Sequence, residues 1–364
     1  VVVKLILGKV FMLLLGNGQR TMRFLILIFL GILMIIRIFW KPIEYFVIFV
    51  LILVLYKLIS RCISKNIEDK LEDIRNLINL GKFEKALEKV EEVITKDLPY
   101  VNEDKKKSIY SKCIYYKANC LSHIIYKSGN IENMKQCVRL YEEALELALK
   151  ENKPVVELMS RVGTAYYNLG LFQNDGELLK IAVKVLESAL EEEEQNREQL
   201  ITSIHRTLGY CYQELANYFD RDEYLKKSLE ELDYVFDETS KENTQYSKAI
   251  NASIMISRAS VLRKLNELNF NENYKIKAID DLNNAMKHYK NANNKHYKKY
   301  FITQYTAFMF QIATACFEMF KISNSEEYMK ECKESIKEVK EGCAKENNVY
   351  VIKKISEISA ELDK

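Results

Sequence analysis

The sequence is poor in residues that turn a chain. Its 364 residues include three prolines and eleven glycines, too few for the many short strands and tight loops of a β protein. Strict apolar/polar alternation is hard to find, so the expected fold is all-α. An excess of either charge is also lacking. Lys plus Arg number 54 and Asp plus Glu 51, a formal net charge of +3, which exerts no general pull on nucleic acid. No nucleic-acid partner is expected. The eight cysteines (62, 113, 120, 137, 211, 316, 332 and 343) contain no CxxC pair and read as reduced core thiols. A glycine-rich phosphate loop, a nucleophile elbow and HExxH are missing too. The protein is therefore not expected to be an enzyme or to carry a cofactor.

Two regimes are present. Phe24 to Trp40 holds seventeen residues with a single charge, Arg37, a length of about 26 Å as a helix. After Lys41-Pro42 comes a second apolar run to Ile59, uncharged from Tyr45 to Tyr56. Together they predict a transmembrane hairpin over 22–60, with the lipid bilayer as its partner. A cleaved signal peptide is the rival reading of the first run, but no small-residue cleavage site precedes the second. Basic residues flank the pair on both sides (Lys4, Lys9, Arg20 and Arg23 before, Arg61, Lys65 and Lys70 after). They predict a multi-pass protein with both ends, and the large domain, in the cytoplasm. Residues 1–21 are given no function. The chain starts with valine and Met22 stands just before the first run, so an upstream start is one reading of this extension. Gly16 to Thr21 lacks the order of a phosphate loop.

Beyond residue 60, apolar and charged residues mix at helical spacing, and one frame recurs. Ala118/Cys137, Gly163/Ala182, Gly209/Ser228, Ala259/Ala278 and Ala313/Cys332 are small residues nineteen apart. Each second member is followed by an apolar pair: Tyr141/Ala144, Leu186/Ala189, Leu232/Val235, Leu282/Ala285 and Ile336/Val339. The offsets predict five helical hairpins. Polar cap-forming residues mark their turns at 128–130, 174–176, 220–222, 271–273 and 323–325. An earlier hairpin is predicted around Ile74 and Ala86. Val349 to Leu362 places Ile352, Ile355, Ile358 and Leu362 on one face, as a helix capping the last hairpin would.

In the first hairpin, Gly81-x-Phe83-x-x-Ala86-x-x-x-Val90-x-x-Val93 with Pro99 beyond resembles the second helix of a tetratricopeptide repeat. Lys70 and Asp73 depart from that pattern, standing where the family has apolar residues. Successive hairpins recur at 45, 46, 50 and 54 residues, longer than the family's 34, and a superhelix of other helical hairpins is the alternative. The resemblance implies a right-handed superhelix of about six hairpins over 61–344, following two transmembrane helices, with a cap over 345–364. It also implies that the first helix of each hairpin lines a concave surface and that the residue after the small position faces a ligand. Those residues are Asn119, Thr164, Tyr210, Ser260 and Thr314. Tyr167, Gln213, Arg263 and Phe317 follow one turn along, and Arg206 lies one turn before Tyr210. The expected function is a membrane-anchored scaffold binding a protein or peptide; the alternative is a tethered sensor of a small peptide or metabolite.

Other clusters carry less. Cys113, Cys120 and His123 share roughly one helix face, but the two cysteines are two turns apart and no fourth ligand is evident, so no metal is expected. Glu191 to Glu194 and the lysine-rich stretch from Lys287 to Lys299 read as solvated surface, the alternative for the latter being a contact for anionic lipid or an acidic partner.

Overall fold

The computed structural model describes residues 30–31, 41–101, 103–128, 130–151, 153–192, 198–242, 244–292, 302–346 and 349–363. These residues are almost wholly helical, with no strand among them. Two compact units divide the chain, residues 1–69 with 100–102, and residues 70–99 with 103–364.

α1 (Lys41–Asn79) is a single helix, with Pro42 in its first turn, where the missing N–H goes unnoticed. In the first unit it exposes Phe49, Val50, Leu53 and Val54. The expected membrane hairpin over 22–60 is overturned here, because among the described residues no helix is long and apolar enough to cross a membrane. Tyr45 to Tyr56, the uncharged stretch of α1, is bounded by Glu44 and Lys57. The multi-pass membrane placement and the cytoplasmic assignment built on it fall with that hairpin. Residues 1–21, and Phe24 to Trp40 apart from Leu30 and Gly31, lie outside the described residues.

In the second unit the end of α1 turns at Gly81 (φ 68°) into α2 (Phe83–Glu92). Ile74 and Ala86, around which this hairpin is predicted, are both fully buried. Lys70 and Asp73, the two departures from the family pattern, are paired instead, Lys70 with Asp97 at 2.6 Å and Asp73 with Lys89. A π-helical turn (Val93–Asp97) and a short 3-10 turn (Leu98–Tyr100) close the segment.

Five long hairpins follow: α3 (Glu103–Ser128) with α4 (Ile131–Lys150), α5 (Val156–Gln173) with α6 (Gly176–Glu191), α7 (Glu198–Leu215) with α8 (Arg221–Ser240), α9 (Gln245–Asn269) with α10 (Glu272–Ala292), and α11 (Ile302–Ser323) with α12 (Glu326–Glu346). Each pair packs together, and each hairpin stacks on the next. Each of the five predicted turns overlaps the junction between the two helices of its hairpin. Asn130, Asp175 and Asp220 accept hydrogen bonds from free N–H groups at the starts of α4, α6 and α8. Asn174, Phe270 and Asn324 take left-handed backbone there, which suits asparagine better than phenylalanine.

The nineteen-residue frame has a physical cause. At three hairpins the second small residue donates to the carbonyl of the first: Ser228 Oγ to Gly209 at 2.8 Å, Cys137 Sγ to Ala118 at 3.4 Å and Cys332 Sγ to Ala313 at 3.3 Å. Helix axes must approach closely for such a bond to form, so a larger residue is excluded at either position. A Cβ on Gly163 would stand 2.5 Å from Leu186 Cγ, and one on Gly209 3.0 Å from Leu232 Cγ. The apolar pairs that follow, from Tyr141/Ala144 to Ile336/Val339, are buried throughout.

α13 (Val349–Leu362) matches the expected terminal helix. Ile355 and Leu362 are buried against the α11–α12 hairpin, whereas Ile352 is 40% exposed. Seven cysteines are free and buried; the side chain of Cys62 lies outside the described residues. Of the lysine-rich stretch, Lys287 to Ala292 continues α10.

Candidate functional site

The first helices of the hairpins carry the predicted ligand-facing residues, and the structure sorts them into three groups. The first group lies between α5 and α7, which approach each other directly. A cleft of about 860 Å³ opens there, lined by Ser160, Arg161, Thr164, Ser203, Arg206 and Thr207 together with Glu157 and Glu198. Thr164 and Arg206 were expected at the site. Arg161, Ser160, Ser203 and Thr207 were not, although a signal was present: Arg161 and Arg206 are 45 residues apart, almost the local repeat spacing.

The two arginines differ in their surroundings. Arg161 stands 3.9 Å from Glu157, whose Oε1 also accepts a 2.8 Å hydrogen bond from the Tyr115 hydroxyl. Burial disfavours the Arg161 charge, but Tyr115, Tyr141 and Glu157 more than offset this and raise its pKa. Burial also pushes the Tyr115 phenol up to about 12. Arg206 donates to Ser203 Oγ at 3.4 Å and has no carboxylate partner among the described residues. It also lines a second, smaller cleft of about 90 Å³ that runs towards Val235, Thr239 and Ile250. A half-exposed guanidinium with five donors and one weak bond is ready to donate to an anionic or carbonyl oxygen. The hydroxyls beside it are already oriented: Thr164 donates to the Ser160 carbonyl at 2.8 Å and Thr207 to that of Ser203 at 3.0 Å. Their lone pairs remain to accept.

One turn further along, Tyr167 and Tyr210 stack at 6.5 Å between centroids. They extend the polar cleft with an aromatic surface on the same two helices. Arg206, Tyr210 and Gln213 stand at helical spacing on α7, but their neighbours differ.

The second group is occupied from within. Gln213 Nε2 lies 3.5 Å from Ser260 Oγ, which donates to Glu318 at 3.3 Å, and Arg263 Nε reaches the same carboxylate at 2.7 Å. Arg263 also pairs with Glu267, which takes Arg221 at 3.1 Å. Ser260 and Arg263 are 8% and 9% exposed, so their polar groups hold α7, α9 and α11 together.

The third group stands apart. Thr314 donates to the Phe310 carbonyl, and Phe317 is buried with the Lys321 ammonium 4.6 Å from its ring. Asn119 on α3 is 9% exposed and its Oδ1 accepts no hydrogen bond among the described residues.

The histidines take partners the sequence does not announce. His205 Nδ1 meets Glu231 Oε2 at 2.6 Å, and its ring lies 4.0 Å from that of Tyr234. His123 stacks on Phe83 at 4.1 Å, and burial, then Arg161, lowers its pKa. Among the described residues no group of His, Cys, Asp and Glu could hold a metal ion.

No family model matches the chain, and no curated protein matches it. Solved structures do. The TPR2AB domain of yeast Sti1, from its complex with pHSP90, is 14% identical and covers 83% of this chain and all of that one, with a TM-score of 0.28. A circular tandem repeat protein is 14% identical over 82% of this chain and 76% of its own, at 0.27. BtubC from P. vanneervenii is 14% identical over 63% and 92%, at 0.28. Scores this low carry no argument about this chain, whose repeat architecture rests on its own helix packing.

Proposed function

We propose that the array, residues 61–344 with its terminal helix in 345–364, is a tetratricopeptide-like scaffold that binds a protein or peptide along the first helices of its hairpins. The supporting observation is the α5–α7 cleft. It offers an arginine without a carboxylate partner, a second cation, oriented hydroxyls and an adjoining tyrosine pair. An extended peptide needs such a surface, because its backbone seeks hydrogen-bond partners and its side chains seek aromatic contact. Arg161 and Arg206 favour an acidic side chain or a terminal carboxylate in the segment that enters the cleft. Thr164, Tyr167, Tyr210 and Arg206 are the residues assigned to contact it. Ser260, Arg263 and Gln213 act behind them by fixing α7 against α9 and α11.

Selection of a displayed peptide library on the full-length protein tests this reading. Acidic peptides should be enriched on the parent and lost on an Arg161→Ala/Arg206→Ala variant that keeps its helicity. Enrichment that is indifferent to both arginines would overturn the assignment. A volume of about 860 Å³ also suits a small molecule, and stabilisation by a metabolite extract without any peptide enrichment would favour that reading.

A further inference from the structure

α13 does more than cover the last hairpin. Its near side behaves as a cap: Ile355 is fully buried, Val351 and Ile358 pack on the α11–α12 cluster, and Glu361 pairs with Lys321 at 2.6 Å. A cap of the last hairpin needs no other neighbours. Yet α13 also packs against α3, the first helix of the first long hairpin. Its Lys353 ammonium stands 5.8 Å from the ring of Phe172, in the last turn of α5. Lys354 lies near enough to Tyr218, just past α7, to oppose the rise in the phenol's pKa caused by burial, Glu214 and Asp175. Three elements from the first half of the array therefore meet a helix anchored on its last hairpin.

The two sides of α13 differ in strength. The near side is apolar and fully desolvated at Ile355, while Lys353 and Lys354 are only half-buried. Contacts of a partly hydrated ammonium with an aromatic ring are among the weaker ones in a fold. Segments attached in this way open locally well below the free energy of global unfolding. We propose that α13 is a latch: it stays anchored on α11 and α12, closes onto α3 and the Phe172–Tyr218 rim, and by closing sets the separation of the first and last long hairpins. Its release widens the space between them, whatever the array binds.

Spin labels at Lys107→Cys on α3 and Glu334→Cys on α12, both exposed positions, read that separation in the full chain with Cys62→Ser. Buried native thiols resist labelling. The parent should give one narrow distance. Lys353→Ala/Lys354→Ala should add a longer component in at least about a tenth of the molecules, a population shift of the size that a few weak contacts control. Ile355→Asp, which detaches the anchor, should make the longer component dominant. Ile352→Ala, at an exposed position, should leave the distance unchanged. If both perturbed variants keep the parent distance, α13 is only a cap and the latch is wrong. If Ile355→Asp melts the last hairpin, seen as lost helicity and exposed Cys332, the double lysine variant decides alone.

Discussion

Replacing Gly163 by alanine sets two opposed effects against each other with different signs. Gly163 lies inside α5, where exchanging glycine for alanine ordinarily stabilises a helix by about 1 kcal/mol. The new Cβ, however, would stand 2.5 Å from Cγ and 2.7 Å from Cδ2 of Leu186, and 3.3 Å from the Ala182 carbonyl. Cγ cannot swing away as a side-chain tip can, and Leu186 is fully buried, so the helices must separate. Overpacking of this kind costs about 1–3 kcal/mol, and the shortness of these contacts places it near the upper end. The net expectation is a loss of about 2 kcal/mol, concentrated in the α5–α6 hairpin because each repeat contacts chiefly its neighbours. Hydrogen exchange of α5 and α6 amides is the assay, since it reads local stability where a single global transition need not exist. Gly209→Ala, with contacts of 2.9 and 3.0 Å to Leu232, should lose less. Leu186→Ala in the Gly163→Ala background should cost at least about 1 kcal/mol less than it does alone, because the two changes share one space. A neutral or stabilising Gly163→Ala would refute the close-approach explanation of the nineteen-residue frame.

Burial pushes the thiols of Cys113, Cys137 and Cys332 up to about 12. At pH 8 the thiolate fraction should fall about a thousandfold against an ordinary cysteine. Native protein should therefore react with iodoacetamide at these sites only after denaturant is added, as mass spectrometry would show; fast native labelling would contradict the packing. Arg258 holds buried Asp281 with two bonds of 2.6 and 2.7 Å, so Arg258→Met should destabilise by about 3–5 kcal/mol at pH 7. Burial already raises the Asp281 pKa despite Arg258. A carboxyl raised in the fold contributes most stability below its unfolded pKa and loses it as pH rises through the folded value. Arg258→Met should therefore recover part of its deficit near pH 4, and an equal loss at both pH values in chemical denaturation would contradict this. Phe270 is 89% exposed with φ 49°, so Phe270→Gly should relieve backbone strain and stabilise the α9–α10 hairpin by about 1 kcal/mol; a loss would show that the ring has a contact that matters.

The hairpin frame was legible because its cause is local. Small residues must stand where two helices cross, caps must stand where they start, and both leave marks at fixed offsets, as Gly209/Ser228 and Asp220 show. The site was legible only in part. Arg206, Thr164 and the Tyr167–Tyr210 pair follow from their places on α5 and α7. Ser260 and Arg263 were expected to face a ligand, but they meet Glu318, 58 and 55 residues later. No local pattern announces a carboxylate arriving from another hairpin. The α13–α3 contact is longer in range still. The membrane hairpin is a different case: the apolar composition around 45–56 is real, but among the described residues no helix is long and apolar enough to cross a membrane.

The binding claim is tested most directly by the affinity of a selected peptide for the parent and for Arg206→Ala/Tyr210→Ala. Arg206 supplies the open guanidinium of the cleft and Tyr210 the aromatic surface beside it. Arginine and tyrosine at the centre of an interface dominate its energy. Titration calorimetry on the full chain should show a loss of about 2 kcal/mol or more, about thirtyfold in Kd, with helicity unchanged. An unchanged Kd in a folded double variant would contradict the account and place the binding surface elsewhere.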